Sequence, residues 1–149
     1  MISRRHGAFL VVSGLCLSWC AAADSPPLPW TFNAPRGEGY AIDLVDVNPA
    51  PGTPLSVGET VDFKVTVKYT LSVASHGTIV LVFEDENNKN AEPKGPQVAW
   101  NVNSPSGEVT LQDQVAVPSH AKELRLFIPL VPDGMAHTTG EIAVRYPIH

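Results

Sequence analysis

The chain has 149 residues, with fifteen Asp and Glu against ten Lys and Arg, five His and two Cys. That length supports one core of ordinary size. An acidic balance without a basic run excludes surfaces built for nucleic acid or for anionic lipid.

Arg4, Arg5 and His6 precede an apolar run from Ala8 to Trp19, which ends in Ala21, Ala22 and Ala23 before Asp24. A positive start, a short apolar stretch and an Ala-x-Ala-like end make a secretory signal peptide too short to anchor in a bilayer. Residues 1–23 are therefore expected to be removed. The arginine pair stands two residues too far from Phe9-Leu10 for a good twin-arginine signal. Trp19 before Cys20 and Leu15 before Cys16 argue against lipidation. Cleavage removes Arg4 and Arg5 and leaves a net charge of 8 − 15 = −7. Cys16 and Cys20 leave with the signal, so the mature chain is expected to hold no disulfide, no thiolate metal site and no cysteine nucleophile. The expected location is periplasmic or secreted, with no membrane attachment after cleavage.

Residues 24–38 contain Pro26, Pro27, Pro29 and Pro35 and read as an extended leader. Trp30 and Phe32 within it are expected to tuck against the domain that follows. From Gly39 onward the chain reads as strands. Residues 39–47 form the first, and the proline-rich turn at 48–54 ends it. From Glu59 to Leu71, Val61, Phe63, Val65, Val67, Tyr69 and Leu71 alternate with Asp62, Lys64, Thr66, Lys68 and Thr70. A period of two over that length is a half-buried antiparallel strand.

A turn at 72–77 carries His76, and residues 78–84 are apolar on both faces, as in a central strand. The polar run 85–95 is a charged loop that lacks the ligand order of a calcium-binding hand. Residues 96–102 form a short edge strand with Trp100. Residues 108–117 alternate except at Asp113, where a bulge is expected. Residues 123–131 form another strand, in which Pro129 requires either an end to the ladder or a bulge. A loop with Asp133 and His137 leads to a last strand at 140–148. About seven short strands with turn signals between them and no helical period give an all-β, immunoglobulin-like Greek-key β-sandwich at residues 39–149.

Val57-Gly58-Glu59-Thr60-Val61-Asp62-Phe63-Lys64-Val65-Thr66-Val67 and Gly140-Glu141-Ile142-Ala143-Val144-Arg145-Tyr146 resemble strands of the immunoglobulin-like or fibronectin type III-like modules of exported bacterial proteins, including the adhesion-related CARDB type. The resemblance spans residues 39–149 and implies a module that binds, spaces or scaffolds. The cysteine pair, core tryptophan and tyrosine corner of antibody domains are absent from it.

No Gly-x-Ser-x-Gly elbow, converging carboxylate pair or phosphate-cradling glycine loop is present, so neither catalysis nor a cofactor is expected. The expected function is binding, with a protein partner in the envelope or outside the cell. Arg125, Phe127 and Arg145 are expected on one outer face of the last two strands, with Trp100 on an edge strand beside them, a composition found in protein hot spots. The alternative is that the proline-rich leader covers Phe127 and Trp100. Two other readings stay open. Greek-key topology places His76, His137 and Asp133 at one end, a donor set for zinc or copper, and His120 and His149 at the other end near Glu84, Asp85 and Glu86. An exposed Trp100 also suits a carbohydrate-binding module.

Overall fold

The computed structural model describes residues 30–33, 37–91, 98–136 and 140–149. The expected signal peptide at 1–23 and much of the leader lie outside them. Among the described residues there are nine strands, in two antiparallel sheets: β1 (Thr31–Asn33), β2 (Tyr40–Asn48), β3 (Thr60–Leu71), β4 (His76–Val80), β5 (Val82–Asp85), β6 (Ala99–Asn103), β7 (Ser106–Ala116), β8 (Glu123–Pro132) and β9 (Glu141–Pro147). Sheet one runs β1-β9-β8-β4-β6, with β5 also on β8, and sheet two runs β2-β3-β7. The architecture is the expected β-sandwich.

β3 is the middle of sheet two because its alternation suits that place. Phe63, Val65, Val67 and Leu71 are almost fully buried, while Asp62, Lys64, Lys68 and Thr70 face water. Its register with β7 runs unbroken from Thr60↔Ala116 to Thr70↔Ser106. No bulge occurs at Asp113. The carboxylate shares the inner side with Phe63, its cross-strand partner, and is tolerated because β7 is the sheet's edge. The bulge lies in β2 instead, where the register shifts between Leu44 and Asp46 and turns Val45 outward.

The central apolar strand expected at 78–84 is divided into β4 and β5, and the cause lies in its neighbour. Both pieces keep one register on β8, from Gly77↔Pro132 to Ile79↔Leu130 and from Val82↔Phe127 to Asp85↔Leu124. That register sets Val80 opposite Pro129. Leu130 donates its N–H to Gly140 on the β9 side at 2.9 Å, so residue 129 addresses β4 by the alternation of an antiparallel ladder. Proline has no N–H to give there. β8 continues through Pro129, which pairs with Glu141, and the break falls in its partner after Val80, while Leu81 N–H keeps the β4–β6 register on the Val98 carbonyl at 3.0 Å.

The core between the sheets is led by Phe63, whose ring lies 4.9 Å from that of Phe83 and 5.2 Å, edge to face, from that of Tyr146. Tyr146 is fully buried, and its hydroxyl donates to the Pro49 carbonyl at 3.0 Å, tying the β2–β3 connection to the last strand. At the other end Tyr69 lies over Gly107, where a Cβ would meet the phenol oxygen at 2.8 Å, and reaches across to the Asn103 carbonyl. Residues 52–57 run beside the end of β9 in parallel, with Leu55 N–H on Pro147 and His149 N–H on Leu55.

Candidate functional site

The outer face of sheet one is built by register. Phe32 on β1 stands opposite Ala143 on β9, Ala143 opposite Phe127 on β8, and Phe127 opposite Val82 on β5. Directly opposed residues share a face, so these four form one apolar row across the sheet. The next row is Trp30, Arg145, Arg125 and Glu84, since Arg145 donates its N–H to the Trp30 carbonyl at 2.8 Å and Arg125 opposes both Arg145 and Glu84. Arg125, Phe127 and Arg145 thus share the face expected of them.

Glu123 holds the two arginines in place. Its Oε1 accepts from Arg125 Nε at 2.8 Å, and its Oε2 accepts from the Arg145 guanidinium. Burial alone would raise the pKa of Glu123, but hydrogen bonds and charge from Arg145 and Arg125 outweigh it and hold the carboxyl below its ordinary value. The Arg145 guanidinium also lies 5.8 Å from the centre of the Trp30 ring, a cation–π contact. Trp30 rests on Gly52, where a Cβ would meet the indole at 2.9 Å.

Trp30 and Phe32 stay 43% and 53% exposed. The described leader strand, Thr31–Asn33, therefore extends the aromatic surface beside Phe127. Proline-rich composition hid this, because only pairing with β9 shows that Thr31–Asn33 is a strand.

Trp100 is not part of this surface. Its cross-strand partner is Ile79, a core residue, so it points to the inner side of sheet one, and β6 is the opposite edge from β1. There its ring projects past the sandwich, 51% exposed.

Of the expected metal set, His137 lies outside the described residues. His76 and Asp133 are brought together, the Asp133 N–H donating to the His76 carbonyl at 3.0 Å. The His76 ring turns to Asn103 on β6: Nδ1 lies 2.8 Å from Oδ1, an oxygen that only accepts, so the ring nitrogen donates. Among the described residues no group of three or more His, Cys, Asp and Glu is placed to hold a metal.

At the other end, Asp85 is buried at the end of β5 and organises the loop after it. Its Oδ1 accepts from the N–H groups of Asn87 at 2.7 Å and Lys89 at 2.9 Å, while Oδ2 faces His120 Nε2 at 3.6 Å. Those backbone donors, Lys89 first, hold its pKa down against burial. Glu86 is held down by its own N–H and by that of Lys122. This acidic end is a structural clasp between the β5 loop and the start of β8.

These shifts set an acid response. A carboxylate with a lowered folded pKa lends stability above its ordinary pKa and loses it as pH falls through the folded value, as for Asp85, Glu86 and Glu123. Asp113 and Glu141 are raised by burial, so the native state is relieved as pH falls toward the ordinary carboxylate range. Thermal stability is expected to rise slightly from pH 7 to roughly pH 5 and to fall below roughly pH 4. Glu123→Gln should flatten the acid limb in melts at a series of pH values. An acid limb unchanged by that substitution would take Glu123 out of the account.

No family model matches the sequence, and no curated protein matches it. Among solved structures, the chain is similar to a glycosyl hydrolase family 2 member from Bacteroides cellulosilyticus DSM 14838, with 13% identity and a TM-score of 0.46 over 73% of this chain and 14% of that one. It is also similar to a chain assigned as a beta-galactosidase from Bacteroides fragilis, with 12% identity and a TM-score of 0.45 over 72% of this chain and 15% of that one. The chain therefore spans about one-seventh of the length of either.

Proposed function

We propose that the chain is an exported, non-catalytic binding module that engages a protein partner in the cell envelope or outside the cell through the outer face of sheet one. The observation that carries this reading is the row Phe32, Ala143, Phe127 and Val82 beside the row Trp30, Arg145, Arg125 and Glu84. Exposed aromatics next to arginines held in place by a carboxylate are the composition and preorganisation of a hot spot. A sheet face suits another protein better than a small molecule, which needs a concave site.

The test is capture of the partner from the envelope and culture fractions of the native host, followed by affinity measurement on the purified pair. Phe32→Ala with Phe127→Ala is expected to weaken binding more than tenfold while melting cooperatively, since each hot-spot aromatic contributes more than about 1 kcal/mol. Trp100→Ala should bind as the parent does. Loss of binding in Trp100→Ala alone would move the site to β6. Quenching of tryptophan fluorescence by soluble glycans, lost in that variant, would replace the protein partner with a sugar.

A further inference from the structure

β6 is the edge of sheet one opposite β1, and among the described residues no strand pairs with its outer edge. Leu81 N–H bonds the Val98 carbonyl and Ser104 N–H bonds the Ser75 carbonyl, both at 3.0 Å, in register with the β4–β6 pairs His76↔Asn103 to Val80↔Ala99. By the alternation of an antiparallel ladder, Val98, Trp100 and Val102 address β4, and the backbone groups of Ala99, Asn101 and Asn103 point away from the sheet. Among the described residues the Asn103 carbonyl is met by the Tyr69 hydroxyl, and no strand lies beyond β6.

Open edges are usually guarded by charge, proline, bulges or brevity. β2 has its bulge with Asp43 and Asp46, β7 has Glu108 and Asp113, and β1 has three residues. β6, Ala-Trp-Asn-Val-Asn, is short at five residues but carries no charge, proline or bulge, and β4 beside it, His-Gly-Thr-Ile-Val, has no acid either. In a chain with fifteen acidic residues, this is the part of a sheet that two copies can bring together without opposing carboxylates.

We propose that β6 pairs antiparallel with β6 of a second copy about a two-fold axis at Asn101, joining two sandwiches through one continuous sheet. An antiparallel strand turned about its own centre meets itself in the same register, so one patch serves both copies. Ala99 then opposes Asn103 and Asn101 opposes Asn101. The Asn101 N–H reaches the Asn101 carbonyl across the axis and the Asn103 N–H reaches the Ala99 carbonyl, each repeated by symmetry and none needing the carbonyl that Tyr69 uses. Trp100 opposes Val102 of the second copy on the inner side, which covers an indole that is 51% exposed in the single chain.

Sedimentation velocity of the full chain over a concentration series tests this. The parent is expected to sediment as a dimer. Asn101→Pro should be a monomer that still melts cooperatively, since a proline is tolerated where an edge N–H points out but removes the central donor. Asn101→Lys keeps the N–H, sets like charges across the axis, and should be a monomer whose dimer partly returns at high salt. It decides the matter if the proline variant fails to fold. A parent that is monomeric throughout, or a dimer that survives in the folded variants, overturns the proposal. So does a monomer whose Ala99–Asn103 amides become protected from exchange only when an extended peptide of another protein is added.

Discussion

Val65→Asp is expected to leave no cooperatively folded protein at neutral pH. Val65 is fully buried in the middle of the central strand of sheet two, and its cross-strand neighbours on the core side are Val47 and Leu111. Neither offers a donor. A carboxylate there stays protonated at pH 7 by taking up a proton against its ordinary pKa, which costs about 4 kcal/mol. The buried, unsatisfied acid adds roughly 1–3 kcal/mol more. A domain of this size has a total stability of about 5–15 kcal/mol. Loss of the near-ultraviolet circular dichroism signal and of a sigmoidal melt is the expected readout. A melt within a few degrees of the parent would mean that β3 turns its other face to the core.

Phe63→Ala should retain the fold but lose about 3–5 kcal/mol, lowering the melting temperature by roughly 15–20 °C in a domain of about 110 residues. Phe63 is the ring at which the two sheets meet, touching Phe83 on β5 and Tyr146 on β9. Its removal opens a cavity between layers that cannot collapse without moving a strand, and it also forfeits two aromatic pairs worth about 0.5–1.5 kcal/mol each beyond area burial. Phe63→Leu fills much of the space and should lose markedly less. Equal losses in the two variants would show that ring geometry, more than volume, sets the stability of this layer. Denaturant midpoints at constant slope measure both.

Local alternation made β3, β8 and β9 legible in the sequence because each has one wholly apolar face along its length. What stayed hidden depended on partners distant in the chain. The break between β4 and β5 is caused by Pro129, some fifty residues later, and nothing in Thr78–Glu84 itself shows it. β1 is a strand because β9 accepts it, while its own sequence signals irregular extension. Asp113 suggested a bulge because alternation alone cannot say whether a strand is central or at an edge. The site divides the same way. That Arg125, Phe127 and Arg145 share a face follows from alternation within two adjacent strands. The side to which Trp100 points follows from its pairing with Ile79, and the contributions of Trp30 and Phe32 follow from pairing with β9. A strand's own pattern gives which residues go together, and the neighbouring strand gives which way they look.

The way β9 is flanked also decides how the domain carries load. β1 lies antiparallel to it, with Trp30 beside Arg145, whereas residues 52–57 lie parallel to its end. A pull applied at residue 30 and at residue 149 therefore opens the β1 contact like a zipper, one hydrogen bond at a time and at low force. A pull between residue 52 and residue 149 instead loads the parallel contact lengthwise, so its bonds must break together. Tension on the leader would thus peel Trp30 and Phe32 from the sheet before it disturbs the sandwich, making the aromatic surface the first part of the molecule to respond to mechanical strain.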